Sequence, residues 1–420
     1  MDEKKSVRLT LEAVRELIAK DEPDVEITNL DEELGSGRGD NYTSMLYRVR
    51  AKGRKLSKDK AWTDWDCAII YKVLPQSKER RDFFKSETLF KNEVVFYTQV
   101  WPALNKLQEN REKVFTGVAK IYAARDDLIA MEDLRVKGFT MADRRKGLQY
   151  ENVMQVLKTL AGFHALSITL RDTRPVEYTK MTDPRSGIRE VLFRRENAEW
   201  YRQYYRTAFD NATKMVSEAL PKHLECRRKE VMDKLQAFLN DDVFFCTMSE
   251  ITAEQGPLSV FCHGDCWTNN ILFGPVNTEA VYLVDFQLTR VGSLALDLAN
   301  LLYCCTHGEV RRAHMTQFLR HYHKHLMSSL HTLNPEQPHR DSTAMWELLN
   351  KEVRRCGRFG LGLALDMLPI STCASDQAPD LYAPEAGKEK RVERAPPTGG
   401  PECARLMTDL VLELIDNQAL

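Results

Sequence analysis

Residues Val260–Phe273 read VFCHGDCWTNNILF. The apolar runs at either end, Val260–Cys262 and Ile271–Phe273, would make a plain buried hairpin if a short turn joined them. Instead the chain runs from His263 to Asn270 through an acid, a tryptophan and two asparagines. The spacing H-x-D-x4-N sets Asp265 and Asn270 on one short loop, close enough to face a single site. A carboxylate there can accept or orient the proton of a hydroxyl, and an asparagine oxygen is a neutral ligand for a hard metal ion. His263 fits a structural role better, bonding backbone to shape the loop.

Working outward, VYLVDFQL places Asp285 at the end of an apolar strand. A carboxylate so placed needs a partner, and Mg²⁺ bridging nucleotide phosphates is a good one. Singly, each of these acids also fits a turn or cap. Together they supply two of the three needs of phosphoryl transfer, metal ligands and a group for the attacking hydroxyl. The third, a phosphate cradle, has a candidate upstream in Gly35-Ser36-Gly37-Arg38-Gly39, where the lack of Cβ atoms lets backbone amides approach phosphate. The same tip also reads as a simple turn. In CAIIYKVLP, alternation puts Ala68, Ile70 and Lys72 on one strand face. Lys72 is either a snorkelling strand-end lysine or a phosphate ligand held by a helix carboxylate. Glu93, on the apolar face of SETLFKNEVVFYTQVW with Phe90, Val94 and Tyr97, supplies that carboxylate; Glu87 is the substitute.

The organisation agrees with that order. An amphipathic helix capped by Thr10 (Leu11, Val14, Leu17, Ile18) precedes a glycine-tipped hairpin. A polar, Trp-containing insertion, the Lys72 strand, the Glu93 helix and two more strands follow. From about Tyr150 long helical patterns take over, broken by the short strands around Asp265 and Asp285. The expected fold is α+β and bilobal. A small antiparallel-sheet lobe covers residues 1–134, and a mainly helical lobe covers 135–420, with 369–401 as a mobile surface loop.

The chain has 420 residues, 43% hydrophobic and 29% charged, with 60 basic against 61 acidic side chains for a formal charge of −1. That balance speaks against nucleic acid or a polybasic membrane contact. No apolar run reaches the roughly 18 residues of a membrane span; FGLGLALDMLPI is short and interrupted by Asp366. The first residues have no signal-peptide core, and ten scattered cysteines read as reduced thiols in the cytoplasm. Cys262 and Cys266 lack the further ligands of a zinc site. No obligate protein partner is evident.

GRGDNYTSMLYRV, FKNEVVFY, LIAMEDLRVKGF, LAGFHALS, FCHGDCWTNNILF and VDFQLTRVGSLALDLANLLY occur in this order from about Leu34 to Tyr303. Together they resemble the protein-kinase-like fold in its aminoglycoside and choline kinase branch, and more finely the ecdysteroid kinase-like (CHK kinase-like) family. The resemblance implies that Lys72 and Glu93 form the nucleotide-positioning pair, that Asp265 is the catalytic aspartate, and that Asn270 and Asp285 are metal ligands. It places the hinge in AMEDL, so that the Glu132 carbonyl and Leu134 amide meet adenine with Met131 behind it. Asp297 is implied to brace the catalytic loop, and Trp267 is a candidate wall of the acceptor pocket. The Trp200, Tyr201, Tyr204 and Tyr205 cluster reads either as a second wall or as helix packing.

Two departures from protein kinases matter. Gly264 stands where many have an activation-loop-reading arginine, and Gln287 replaces the last glycine of the metal motif, which puts a flipped inactive state in doubt. Only a short stretch separates Asp285 from the helix of Asp297, leaving no room for a peptide-binding activation segment. The expected activity is ATP- and Mg²⁺-dependent phosphorylation, with Mn²⁺ as substitute, of an ecdysteroid or other small hydroxylated molecule. The alternatives are a cationic acceptor of choline or aminoglycoside type, and a catalytically silent nucleotide-binding scaffold.

Overall fold

The computed structural model describes residues 8–35, 44–276, 278–336, 340–373 and 399–420. Five antiparallel strands form the first lobe: β1 (Val25–Leu34), β2 (Met45–Leu56), β3 (Trp62–Val73), β4 (Ile121–Arg125) and β5 (Leu128–Glu132), in the order β1-β2-β3-β5-β4. Period-two alternation sorts β3. Ile69, Tyr71 and Val73 join Val14, Leu17 and Ile18 of the Leu11–Ala19 helix in an outer core, while Ile70 packs toward the main core. Lys72 therefore points to the inner side, opposite Leu46 on β2 and Ile129 on β5. The Thr10 hydroxyl caps the first helix by accepting from the Ala13 amide at 3.2 Å.

Two local expectations need correcting. The polar, Trp-containing insertion is the distal half of β3, paired with β2 as far as Leu56 opposite Trp62. There the sheet has run beyond the core, both faces meet solvent, and the apolar alternation that marks a strand is lost. The Glu93 helix is not one unbroken helix to Trp101. It runs Ser86–Val95, widens into a π turn over Phe96–Val100, and resumes as Trp101–Lys106. Pro102 lacks an N–H and crowds the carbonyl four residues back, which the wider turn relieves.

The second lobe is built on the Tyr150–Thr173 helix, buried continuously from Leu160 to Leu170 and packed along Gly308–Leu333. This helix is long and apolar enough to cross a membrane, but 78% of its most apolar window is buried inside the protein. Short strands carry the loops of interest: β6 (Thr140–Met141), β7 (Ser259–Cys262), β8 (Ile271–Phe273), β9 (Val281–Leu283) and β10 (Arg290–Ser293). They pair as β6-β8-β9 and β10-β7, with Ile271 opposite Leu283 and Cys262 opposite Arg290. The pairings bring the β7–β8 loop and the β9–β10 loop side by side.

The expected loop over 369–401 overreaches at both ends. The Gly357–Thr372 helix continues through Pro369, and the last helix starts at Gly400. Proline is a poor predictor of a stop this close to a helix end, and here it is buried. Residues 374–398 lie outside the described residues, so the expectation of mobility there is not addressed.

Candidate active site

Lys72 and Glu93 meet across the sheet and the glutamate helix, and both are almost fully buried. The Lys72 ammonium donates to Glu93 Oε1 and Oε2 at 3.1 and 2.9 Å, and to Asp285 Oδ1 at 2.8 Å. Burial acts against the lysine's charge, but Asp285 and Glu93 outweigh it and hold its pKa above the ordinary range. One cation is shared between the buried Glu93 and the partly buried Asp285. Burial raises the Glu93 pKa, Asp285 adds to the rise, and Lys72 and the Tyr97 hydroxyl oppose it. Glu87, the substitute, is instead an exposed partner of Arg81.

The β7–β8 loop faces this group. Asn270 Nδ2 donates to the Asp265 backbone oxygen at 3.0 Å and to Asp265 Oδ2 at 2.9 Å. That leaves Asp265 Oδ1 and the Asn270 oxygen for other partners. The Asp265 carboxyl is pushed up to about 7 by burial first and by Asp285 second, against the Asn270 hydrogen bond and the positive charges of Arg290 and Lys72.

Behind the loop sits Asp297, buried in the Ala295–Cys305 helix. Its Oδ2 accepts from the His263 amide at 2.7 Å and its Oδ1 from the Gly264 amide at 2.9 Å. His164 of the central helix approaches Oδ2 at 3.0 Å and meets the Tyr322 hydroxyl through Nδ1 at 2.7 Å. Burial opposes ionisation of Asp297, yet His164 and these amides win and lower its pKa. His263 bonds the Val284 carbonyl through Nε2 at 2.9 Å and accepts from the Asp265 amide, and burial keeps it neutral by lowering its pKa.

Gly264 is fixed by geometry. Its φ is +86°, and a Cβ there would lie 1.8 Å from the Leu288 carbonyl oxygen. Gly264→Ala should therefore cost at least about 2 kcal/mol, checked by urea unfolding; an unchanged midpoint would show that the loop can yield. Asp285 also has left-handed backbone, at φ 68°, where a non-glycine residue is uncommon.

Sequence reasoning passed over Asn92. Its Nδ2 donates to the Gln287 and Thr289 carbonyls at 3.0 and 2.7 Å, and its oxygen accepts from the Arg189 amide. Phe96 stacks on Phe286 with centroids 3.8 Å apart. The glutamate helix is thus tied to the Asp285 loop on two sides. Asn92 could have been noticed as a polar residue beside Glu93 on a buried helix, but nothing in the pattern identified its partners. His164 was visible only as part of a quoted motif.

The remaining expected residues fall as follows. Gly35 directly follows β1, its amide bonded to the Leu46 carbonyl; Ser36, Gly37 and Gly39 lie outside the described residues. Met131 and Leu134 are buried at the end of β5 and just past it. Glu132 is paired with Lys137, and the intervening Asp133 binds Arg48 at 2.5 Å. Trp267 is buried in the main core.

Among the described residues no three His, Cys, Asp or Glu side chains are grouped to hold a metal alone. Asn270 and Asp285 nevertheless suit Mg²⁺, which commonly takes one or two protein carboxylates together with substrate phosphates. Three carboxylates, Glu93, Asp285 and Asp265, gathered near one lysine give that donor set the excess negative charge a dication needs.

Fold and site together define the class, that of bilobal, kinase-like chains with a buried lysine–carboxylate site. Within it, the chain belongs to the ecdysteroid kinase-like family, whose sequence model matches residues 38–335. It is similar to an uncharacterised kinase-like protein of Caenorhabditis elegans, 27% identical over 205 residues. That match takes in 49% of this chain and 48% of the relative, so it spans about half the relative's length. Solved structures similar to it include a Plasmodium vivax ethanolamine kinase, 12% identical with a TM-score of 0.42, covering 92% of this chain and 83% of that one. Another is an aminoglycoside phosphotransferase of Streptomyces rimosus in complex with ADP and streptomycin, 13% identical with a TM-score of 0.28, covering 82% and 98%.

Proposed function

We propose that the chain is an ATP- and Mg²⁺-dependent kinase that transfers the γ-phosphoryl group to a hydroxyl of an ecdysteroid or other small hydroxylated molecule. The observation that carries this reading is the buried Lys72 ammonium shared by Glu93 and Asp285 beside the Asp265–Asn270 pair. Residues 1–134 hold the nucleotide and 135–420 the acceptor. Lys72 binds phosphate oxygens, kept charged and aimed by Glu93. Met131, Glu132 and Leu134 meet the base, and the glycine tip from Gly35 covers the phosphates. Asn270 and Asp285 hold Mg²⁺, which neutralises charge on the phosphates when bound. Asn270 fixes Asp265 Oδ2, so Oδ1 is left to receive the acceptor's hydroxyl proton. The described cysteines are all unpaired thiols, which supports a reducing, cytoplasmic setting.

The test is mass-spectrometric detection of phosphorylated product. Purified protein and Mg²⁺-ATP are incubated with ecdysteroids, other hydroxylated steroids, plant phenolics, choline and an aminoglycoside, with Asp265→Ala as blank. A phosphoryl adduct on a neutral hydroxylated acceptor, absent from the blank, is expected. An adduct on choline or the aminoglycoside alone would replace this acceptor class with a cationic one. Nucleotide binding without any adduct would favour a silent binder. Asp285→Ala should weaken Mg²⁺-dependent nucleotide binding by at least about tenfold, measured by titration calorimetry with and without Mg²⁺. Unchanged metal dependence would remove Asp285 from the ligand set.

A further inference from the structure

The Gly357–Thr372 helix is buried on most of its surface, yet Leu363, Asp366, Met367 and Ile370 are each partly exposed. Their spacing of three, one and three puts them on one helical face. Three members are apolar and one is an acid. The Asp366 carboxyl receives the Tyr205 hydroxyl, but among the described residues its Oδ1 is buried with no hydrogen-bond partner and no Lys or Arg balances it. An unsatisfied buried acceptor is costly unless a ligand supplies the donor.

A pair of adjacent cysteines connects Asp366 with the reacting group. The Cys304 thiol lies in the field of both Asp265 and Asp366. Cys304 Sγ contacts the carbonyl of Gly360, earlier on the Asp366 helix, and Cys305 Sγ contacts the Cys266 carbonyl beside Asp265. The helix that presents Tyr205 also carries Trp200 and Tyr204, half-buried and stacked at 4.8 Å, and Trp200 Nε1 is a second buried polar atom with no partner. Phe83 of the first lobe packs edge-on against Trp200, which puts these rings where the two lobes meet. Tyr201 and Tyr205 are buried behind them.

We propose that Asp366 is a specificity-determining residue of the acceptor site. It accepts a hydrogen bond from a second hydroxyl of a largely apolar acceptor whose first hydroxyl meets Asp265, an assignment that rests on the kinase reading above. The apolar side chains of Leu363, Met367 and Ile370, together with the Trp200–Tyr204 stack, suit a fused-ring body. A small ammonium ligand would leave that apolar surface wet.

The test measures binding and turnover separately. Ecdysone (several hydroxyls), testosterone (one) and choline (cationic) are titrated by calorimetry into wild type, Asp366→Asn and Asp366→Leu, with circular dichroism confirming folding. Phosphoryl transfer is followed in parallel. Wild type should bind ecdysone, and Asp366→Leu should weaken that binding by at least about tenfold. Asp366→Asn, which keeps an acceptor oxygen, should stay close to wild type, and testosterone should not distinguish the three. Equal ecdysone binding by wild type and Asp366→Leu would overturn the proposal. So would the absence of binding by every probe, or choline binding lost in Asp366→Asn. Selective ecdysone binding without phosphoryl transfer would sink the kinase reading while leaving the Asp366 face a ligand site.

Discussion

Asp265→Asn should lower turnover by about 10²–10⁴-fold, the range for loss of a positioned acid–base group, and should raise thermal stability at the same time. The two effects share a cause. Asp265 is ionised at a cost: burial and the neighbouring Asp285 carboxylate push its pKa up to about 7, so the folded chain resists the charge that the chemistry uses. A neutral amide of the same shape removes that repulsion and cannot take a proton from the acceptor hydroxyl. Mg²⁺-nucleotide affinity should be little changed, because Lys72, Glu93 and Asp285 are untouched. The measurements are single-turnover rates, nucleotide titration and a thermal melt. A variant that keeps most of its turnover would show that Asp265 does not handle the proton. One that loses activity and also melts earlier would show that the side chain mainly holds the loop.

How much of this was legible differs residue by residue. Lys72, Asp265, Asn270 and Asp285 stood out because each put a polar group where the local apolar pattern called for none. The bilobal α+β fold followed from the change of texture near Tyr150. What the sequence could not show was partnership across distance. Asn92 binds carbonyls nearly two hundred positions away, and spacing along one helix says nothing of that. The same is true of His164 with Asp297 and of Tyr205 with Asp366. The distal half of β3 was missed because a strand with two wet faces has no apolar period to detect, and the π turn at Phe96 because its signal lies downstream, in Pro102. Asp366 was visible only as an interruption of an apolar run.

Asp297→Ala should destabilise the protein by about 3–5 kcal/mol, the cost of breaking a buried charged network. The methyl group would leave the His263 and Gly264 amides and His164 without their acceptor, all of them buried. A melting-temperature fall of about 4–6 °C follows for a chain of this size. The effect should depend on pH in a direction set by the carboxyl. Its folded pKa is lowered from the ordinary 3.8, so the unfolded chain binds the proton more readily. The stabilisation is therefore fully present above about pH 4 and is lost as pH falls through the folded value. Wild type and Asp297→Ala should differ most near neutrality and converge in acid, as melts from pH 7 down to 3 would reveal. A gap that stays constant over that range would mean that packing, not the charge, carries the stability. Because the amides that Asp297 holds belong to the residues just before Asp265, the variant should also lose turnover. It would do so with a melting shift opposite in sign to that of Asp265→Asn, which separates the residue that builds the loop from the one that uses it.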